Sequence, residues 1–285
     1  MKKTIKKIAF YYDDKNKKAM KVLEEIYLMI QKEYPNMKLD ENNPDVVFVL
    51  GGDGTMIKAI KDFHYSNTLF FGFNLGNVGF LTSVRDSKKF LEKIKLFLKG
   101  EYFISHRNLI KVEVERNGKV VFKDDVLNEI AIQNLIGMVN LDVKIDDFQF
   151  QNIFGTGVLV ATPTGSTAYN LSAHGPVVMP NIECLILTEL MDHNIPTPSL
   201  VISKDKQINI EVVGFRRKEL FQIKQNQEMV GSDVLLISDG INLFSLDKGD
   251  KVVIKNNDKK INLIELEKNY FLSSLKDKFY YGGKK

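Results

Sequence analysis

Five consecutive residues, Gly51-Gly52-Asp53-Gly54-Thr55, have the types and spacing for chemistry on a phosphate. They follow the continuous apolar run Val46-Val47-Phe48-Val49-Leu50 and lead into a stretch with helical periodicity over residues 55–63. Glycines at such a strand-to-helix turn let the backbone approach a phosphate closely and take positive φ. The helix that follows offers unpaired N–H groups and the positive end of its dipole to the same anion. A carboxylate among them repels that anion, so Asp53 needs a reason to be there. Two chemical reasons fit: a base taking the proton of an attacking hydroxyl, or a ligand for the Mg²⁺ that accompanies ATP. A third alternative is structural, with Asp53 capping the helix.

The elements that must position this turn alternate between strand and helix. Residues 5–11 read as a strand, and Met20, Leu23, Ile26, Tyr27 and Ile30 then recur at helical spacing. The run from Val46 to Leu50 suits a strand covered on both faces. Leu69–Phe73 reads as another strand, and Phe90, Ile94, Phe97 and Leu98 mark another helix. This alternation predicts an α/β N-terminal domain over residues 1–100, with an open, mostly parallel, Rossmann-like sheet and ligands outside the carboxyl ends of its strands.

After Gly100 the texture changes. Val112 and Val114 alternate with Lys111, Glu113 and Glu115, and Asn117-Gly118 signals a hairpin before Lys119-Val120-Val121-Phe122. Strand-like runs recur at 126–132, 141–145, 158–161, 208–213, Val234–Ser238, 251–255 and 261–266, which predicts a β-rich C-terminal domain over residues 101–267. The tail over 271–281 reads as helical, with Leu272, Leu275 and Phe279 on one side. We assign it to a C-terminal helix within 268–285 that packs back on the first domain.

Bulk properties narrow the class. A chain of 285 residues fits two domains, and 44% hydrophobic with 27% charged content is that of a soluble globular protein. No apolar run reaches the roughly 18–20 residues that span a bilayer, so no membrane partner is expected. The basic start, Met1-Lys2-Lys3-Thr4-Ile5-Lys6-Lys7, precedes an apolar stretch that stops at Asp13-Asp14, which suits a lead-in to a strand and not a signal peptide. The single cysteine, Cys184, rules out an intramolecular disulfide and any multi-cysteine metal site, and the expected location is cytoplasmic. Net charge is +4 with acids and bases interspersed, so no nucleic-acid partner is expected.

The turn at Asp53 resembles the Gly-Gly-Asp-Gly-Thr signature of a kinase superfamily. That superfamily contains NAD kinases, diacylglycerol and sphingosine kinases and, more distantly, phosphofructokinases. The motif marks phosphoryl transfer to a hydroxyl and leaves the acceptor open. Two further segments choose. Asn74-Leu75-Gly76-Asn77-Val78-Gly79-Phe80-Leu81-Thr82 resembles the second NAD kinase motif. Thr162-Pro163-Thr164-Gly165-Ser166-Thr167-Ala168-Tyr169-Asn170, with Ser172 and Gly175-Pro176 beyond, looks like the family's long diagnostic stretch. Asn128-Glu129 matches the Asn-Glu pair between them, and Asp239-Gly240 and the C-terminal helix have counterparts. On these motifs the chain resembles the NAD kinase family.

The resemblance implies an activity and a site. Asp53 would accept the proton of the 2′-hydroxyl on the adenosine ribose of NAD, the substrate. Gly51, Gly52, Gly54 and Thr55 would lie near the phosphates of ATP, which arrives with Mg²⁺ or another divalent cation. No carboxylate cage for that metal is visible, as expected of an ion held largely by phosphates, so no residue is assigned to it. Asn128 and Glu129 would contact adenosine: an amide both donates and accepts, and a carboxylate accepts from hydroxyls or an exocyclic amine. Asn74, Phe80, Thr164, Gly165, Ser166, Thr167, Ala168, Tyr169, Asn170 and Ser172 complete the binding set, with Tyr169 offering a ring for stacking. The plain alternatives are an ordinary polar surface loop at 164–169 and a core position for Phe80. The family also implies a homodimer or homotetramer.

The sequence departs from the family pattern at several points. Many members carry Gly-Asp-Gly shortly before the Thr-Pro motif, often with Arg two positions ahead of the Asp. Here the stretch is Phe154-Gly155-Thr156-Gly157, which puts in doubt the usual polar contacts to the nicotinamide side and bears on preference between NAD and NADH. His174 stands where glycine is common and reads as a packing or hydrogen-bonding residue. His64, His106 and His193 show no ligand-like pairing. Lys204, Lys206, Arg216 and Arg217 either hold phosphates or form a solvated face. Two other functions remain: a kinase for a lipid or sugar hydroxyl, which gives residues 164–169 no role, and a dinucleotide sensor that has lost catalysis.

Overall fold

A computed structural model of the chain describes residues 4–63, 68–76, 79–193, 197–216, 221–225 and 227–279. In chain order the elements begin with β1 (Lys7–Tyr12), α1 (Lys17–Glu33), β2 (Lys38–Leu39), β3 (Val46–Leu50), α2 (Asp53–Asp62), β4 (Leu69–Phe73) and α3 (Phe90–Leu98). Strands follow as β5 (Phe103–Arg116), β6 (Lys119–Val126), β7 (Glu129–Asn134), β8 (Val139–Ile145) and β9 (Phe148–Ala161), then the short helix α4 (Tyr169–Ser172). The remainder is β10 (Cys184–Asp192), β11 (Leu200–Ser203), β12 (Ile208–Phe215), β13 (Phe221–Gln225), β14 (Glu228–Ser232), β15 (Val234–Ser238), β16 (Asn242–Leu246), β17 (Lys251–Glu265) and α5 (Tyr270–Phe279). Two compact units result: Met1–Arg107 with Lys260–Lys285, and Asn108–Lys259. Among the described residues no helix is long and apolar enough to cross a membrane.

In the first unit β2, β1, β3 and β4 pair in parallel, and the end of β17 adds in parallel to β4 through Asn262 and Leu263. All five residues of β3 are buried, as a strand covered on both faces requires. Helix α1 begins at Asn16, whose side chain accepts from the amides of Lys18 and Ala19, and buries Ala19, Ile26, Met29 and Ile30. Phe48, Phe71, Phe73, Phe90 and Phe97 are each at most 1% exposed. Burying each such ring contributes roughly 1.5–3 kcal/mol. Strand β1 starts two residues later than the pattern predicts, because the amides of Lys6 and Lys7 donate to the Asp45 carboxylate. Helix α2 likewise starts at Asp53 and not at residue 55, since the amide of Met56 already closes a turn on the Gly52 carbonyl.

The second unit is antiparallel, with the path β16-β15-β7-β9-β8-β12-β17, β10 joined to β9 and β11 to β10, and the β5–β6 hairpin. Asn117 and Gly118 both take positive φ, 52° and 74°, at the hairpin turn. The run expected at 126–132 is in fact interrupted at Leu127 and Asn128, whose amides leave the ladder for the Asp239 carboxylate. The two runs expected at 251–255 and 261–266 are one strand, β17, carried through the polar stretch Asn256-Asn257-Asp258-Lys259-Lys260. Strands β10, β11, β14 and β16 lack a clear apolar–polar alternation, and the five-residue β13 is a short alternating run that the sequence reading does not mark; the first five residues of β10 are buried.

Candidate active site

Chemistry-bearing residues gather in two places, one in each unit. In the first, the chain leaves β3 through Gly51, whose amide donates to the Phe73 carbonyl at 3.0 Å, and enters α2 at Gly52. No side chain caps this helix, because the N-cap is glycine. Asp53 is the first residue of α2, and its carboxylate does not serve its own helix. It turns to accept the amides of Phe80 at 2.7 Å and Leu81 at 3.0 Å. The capping alternative is therefore wrong. A carboxylate has about four lone-pair sites, so two amides fix its orientation and leave capacity for a hydroxyl.

The loop after β4 is shaped to reach that carboxylate. A Cβ on Gly79 would lie 2.1 Å from Oδ1 of Asp53, so only glycine permits the approach. Asn74 is buried, and its side-chain oxygen accepts the Gly76 amide at 2.8 Å, fixing the start of the loop. Asn77 and Val78 of the same motif lie outside the described residues. Phe80 takes the core alternative: it is 4% exposed and packs against Phe271 of α5 at 5.6 Å between centroids. Thr55 lies against the turn, since a Cβ on Gly51 would meet its Oγ1 at 2.3 Å. Gly54 is exposed.

Beside this cluster sits a buried cation that the sequence did not reveal. Arg107 is 1% exposed and its Nη2 donates to Oε1 of Glu265 at 3.1 Å. Burial pushes the guanidinium below its ordinary value, opposed by Glu265 and, more weakly, by the charges of Asp53 and Tyr270. A buried ion is costly without a partner, and Glu265 is that partner.

In the second unit the loop over 162–169 is seated on Leu127 and Asn128. Thr162 donates its amide to the Asn128 carbonyl at 2.8 Å and its hydroxyl to the Leu127 carbonyl at 2.5 Å. Gly165 passes so close that a Cβ would stand 2.1 Å from the Asn128 oxygen. Asp239 holds the other side, accepting the amides of Leu127 at 3.0 Å and Asn128 at 2.6 Å. Glu129 is 8% exposed, and burial, then the charge of Asp239, push its carboxyl up to about 8.

The hydroxyls expected to wrap a ligand are mostly engaged within the protein. Ser166 donates to the Pro163 carbonyl at 2.7 Å and accepts the Val178 amide at 3.0 Å, while Thr167 donates to the Thr164 carbonyl. Thr164 is buried, and Asn170 bridges Thr188 and the Pro176 carbonyl. Tyr169 is different: it is 40% exposed, and its hydroxyl donates to Oε1 of Gln133 at 3.1 Å. With Ser172, Thr156, His174, Glu189 and Asp192 it lines a cavity of about 420 Å³. Ala168, half-buried, precedes it.

Two family models together match most of the chain. Residues 1–102 match the ATP-NAD kinase N-terminal domain family, and residues 105–266 match the ATP-NAD kinase C-terminal domain family. This chain belongs to the NAD kinase family. The NAD kinase of Clostridium tetani is 34% identical over 248 residues, covering 85% of this chain and 83% of that protein. That of Syntrophotalea carbinolica is 32% identical over 240 residues, covering 84% and 79%. Among solved structures, yeast NADH kinase complexed with NADH superposes with a TM-score of 0.86 at 21% identity, covering 99% of this chain and 90% of that one. An NAD kinase from Archaeoglobus fulgidus in complex with ATP gives 0.72 at 22% identity, covering 96% and 98%. At these identities the two structures establish a shared fold: an α/β N-terminal region with parallel strands and a strand-rich C-terminal region.

Within this NAD kinase family member the remaining polar residues have local roles. His174 sits at φ 61°, which explains why glycine suits the position. His106 contacts Asn262 at 2.8 Å, and the His193 amide donates to the Phe154 carbonyl. Lys204 pairs with Glu183 and Lys206 with Asp146, while Arg216 is exposed. His64 and Arg217 lie outside the described residues. Among the described residues no group of three or more His, Cys, Asp or Glu side chains is placed to hold a metal ion. The sequence missed Arg107, Glu265 and Gln133, which carry no motif. It noted Asp239 without its task, which only a contact across 111 residues of chain reveals.

Proposed function

We propose that this chain is an NAD kinase that transfers a phosphoryl group from ATP to the 2′-hydroxyl of the adenosine ribose of NAD, with Asp53 as base. The observation that carries the reading is the Asp53 carboxylate, fixed by the amides of Phe80 and Leu81 at the start of a helix without a side-chain cap. Phosphoryl transfer asks mainly for alignment and charge neutralisation. The uncapped amides of α2, with Gly51, Gly52, Gly54 and Thr55, favour the phosphates, and the oriented carboxylate takes the hydroxyl proton. Asn128 and Glu129 bind adenosine. With its carboxyl raised to about 8, Glu129 is mostly protonated at neutral pH and can both donate and accept.

The Mg²⁺ that comes with ATP would neutralise phosphate charge. An ion held largely by the phosphates needs no dedicated ligands from the chain. We assign the metal to the phosphate oxygens. Tyr169 and Ser172 line the cavity that suits the rest of the dinucleotide, where Thr156 stands in place of the acidic residue common in the family. We further propose a cytoplasmic homodimer or homotetramer, which sedimentation of the purified protein checks.

Incubation of the pure protein with Mg-ATP and NAD, followed by enzymatic detection of NADP, tests the reading. NADP formation is expected. Transfer to diacylglycerol, a sphingoid base or a sugar phosphate in its place would support the related lipid or sugar kinases. NAD binding without turnover would support a sensor.

A further inference from the structure

The loop that carries the two amides facing Asp53 is itself gripped from behind by helix α5. Tyr270 opens that helix, is 4% exposed, and donates its hydroxyl to the Thr82 carbonyl at 2.6 Å, with the Gly79 carbonyl 3.4 Å away. These two carbonyls bracket Phe80 and Leu81, the residues whose amides reach Asp53. The same helix holds the loop's side chain. Phe80 stacks against Phe279 at 6.3 Å, packs on Phe271, and carries Nζ of Lys278 over its ring at 4.8 Å.

Tyr270 is in turn fixed in place. The Arg85 guanidinium lies over its ring at 5.0 Å and donates to Ser274 and Asp277, one and two turns further along α5. Ser274 donates back to the Tyr270 carbonyl at 2.8 Å. A buried hydroxyl without a partner is costly, so tyrosine here needs an acceptor where phenylalanine would need none. This hydroxyl has one: the carbonyl at the far end of the two-residue segment that aims at the carboxylate.

We propose that Tyr270 is a positioning residue for phosphoryl transfer, holding residues 79–82 so that the Phe80 and Leu81 amides keep the Asp53 carboxylate in its reactive orientation. The proposal rests on Asp53 as the base of the kinase reaction and adds what orients it. Tyr270 touches no substrate. Its loss therefore acts on kcat while substrate binding persists.

The test is Tyr270→Phe, which keeps the ring and removes the hydroxyl, beside Leu272→Ala on the exposed face of the same helix as a control for helix stability. Loss of one buried hydrogen bond should lower kcat roughly 5- to 10-fold with KM for NAD and ATP within about twofold, and Leu272→Ala should match the parent. Hydrogen exchange at the Phe80 and Leu81 amides, read by NMR, should quicken by a similar factor in Tyr270→Phe. A kcat equal to the parent's overturns the proposal. So does a lowered kcat with unchanged exchange at those two amides, because Tyr270 would then act by another route. Should the parent form no NADP, the kinase reading fails, and amide exchange still decides whether Tyr270 holds the loop to Asp53.

Discussion

Gly79 and Asp53 are neighbours across 26 residues of chain, and the contact between them tolerates no side chain: a Cβ on Gly79 would stand 2.1 Å from Oδ1 of Asp53. The carboxylate and the loop are thus fitted to one another. Gly79→Ala must push one of them aside. A displacement near 1 Å at a reacting group costs on the order of 10² in rate, so kcat for NADP formation should fall by about that factor. Circular dichroism should show the fold retained. An alanine variant with full turnover would mean the fit has no bearing on catalysis.

Asp53→Asn keeps the size and removes the base. It also turns an NH₂ toward one of the two amides that now donate to the carboxylate. Turnover should fall by roughly 10² to 10⁴, the usual range for a positioned acid or base. Calorimetric affinity for NAD should change only a few-fold. Near-normal turnover would remove Asp53 from its assigned part.

Asp239 supports Asn128 and Glu129 from below, accepting two main-chain amides and giving its own amide to the Glu129 carbonyl at 3.0 Å. Asp239→Asn leaves one of those buried amides facing a donor. An unmade buried hydrogen bond costs about 1–3 kcal/mol. The expected signature is a raised KM for NAD, with kcat at saturation close to that of the parent. A fall in kcat at constant KM would contradict the supporting role.

Glu129 makes stability depend on pH. Burial first, and Asp239 second, raise its carboxyl from 4.5 to about 8. Between those values the folded protein binds a proton that the unfolded chain has already lost. The stabilisation is therefore complete below about pH 4.5, declines as pH rises and is gone above about 8. At about 1.4 kcal/mol per unit the total is a few kcal/mol. Urea midpoints measured at about pH 5.5 and 8.5 should drop more for the parent than for Glu129→Gln, which imitates the protonated form at every pH. Parallel slopes would show that the group titrates normally.

Much of this architecture was legible in the sequence because it is written in short-range patterns. The buried strand Val46–Leu50, the glycine turn and the helices marked by Ile26 and Ile94 are local features, and the α/β region followed by a strand-rich one emerged from them. What stayed hidden depends on distant partners. Leu127 and Asn128 look like mid-strand residues until Asp239 draws their amides away. Strand β17 looks like two strands because its middle is polar and exposed. At the candidate site the residue types announced phosphate chemistry, but Ser166 and Thr167, which read as ligand contacts, spend their hydroxyls on neighbouring carbonyls. Composition shows that a hydroxyl is present, not which acceptor it finds.

Because the first unit takes its last strand and helix from Lys260–Lys285, a ribosome makes its opening 107 residues and then the entire second unit before supplying them. At roughly 5–20 residues per second the nascent chain waits on the order of ten seconds with Leu69 and Phe70 of β4 presenting an unpaired edge. That edge is apolar and ready to pair with a stranger. Slow translation of the second half lengthens the time for which that edge waits for its own partner strand.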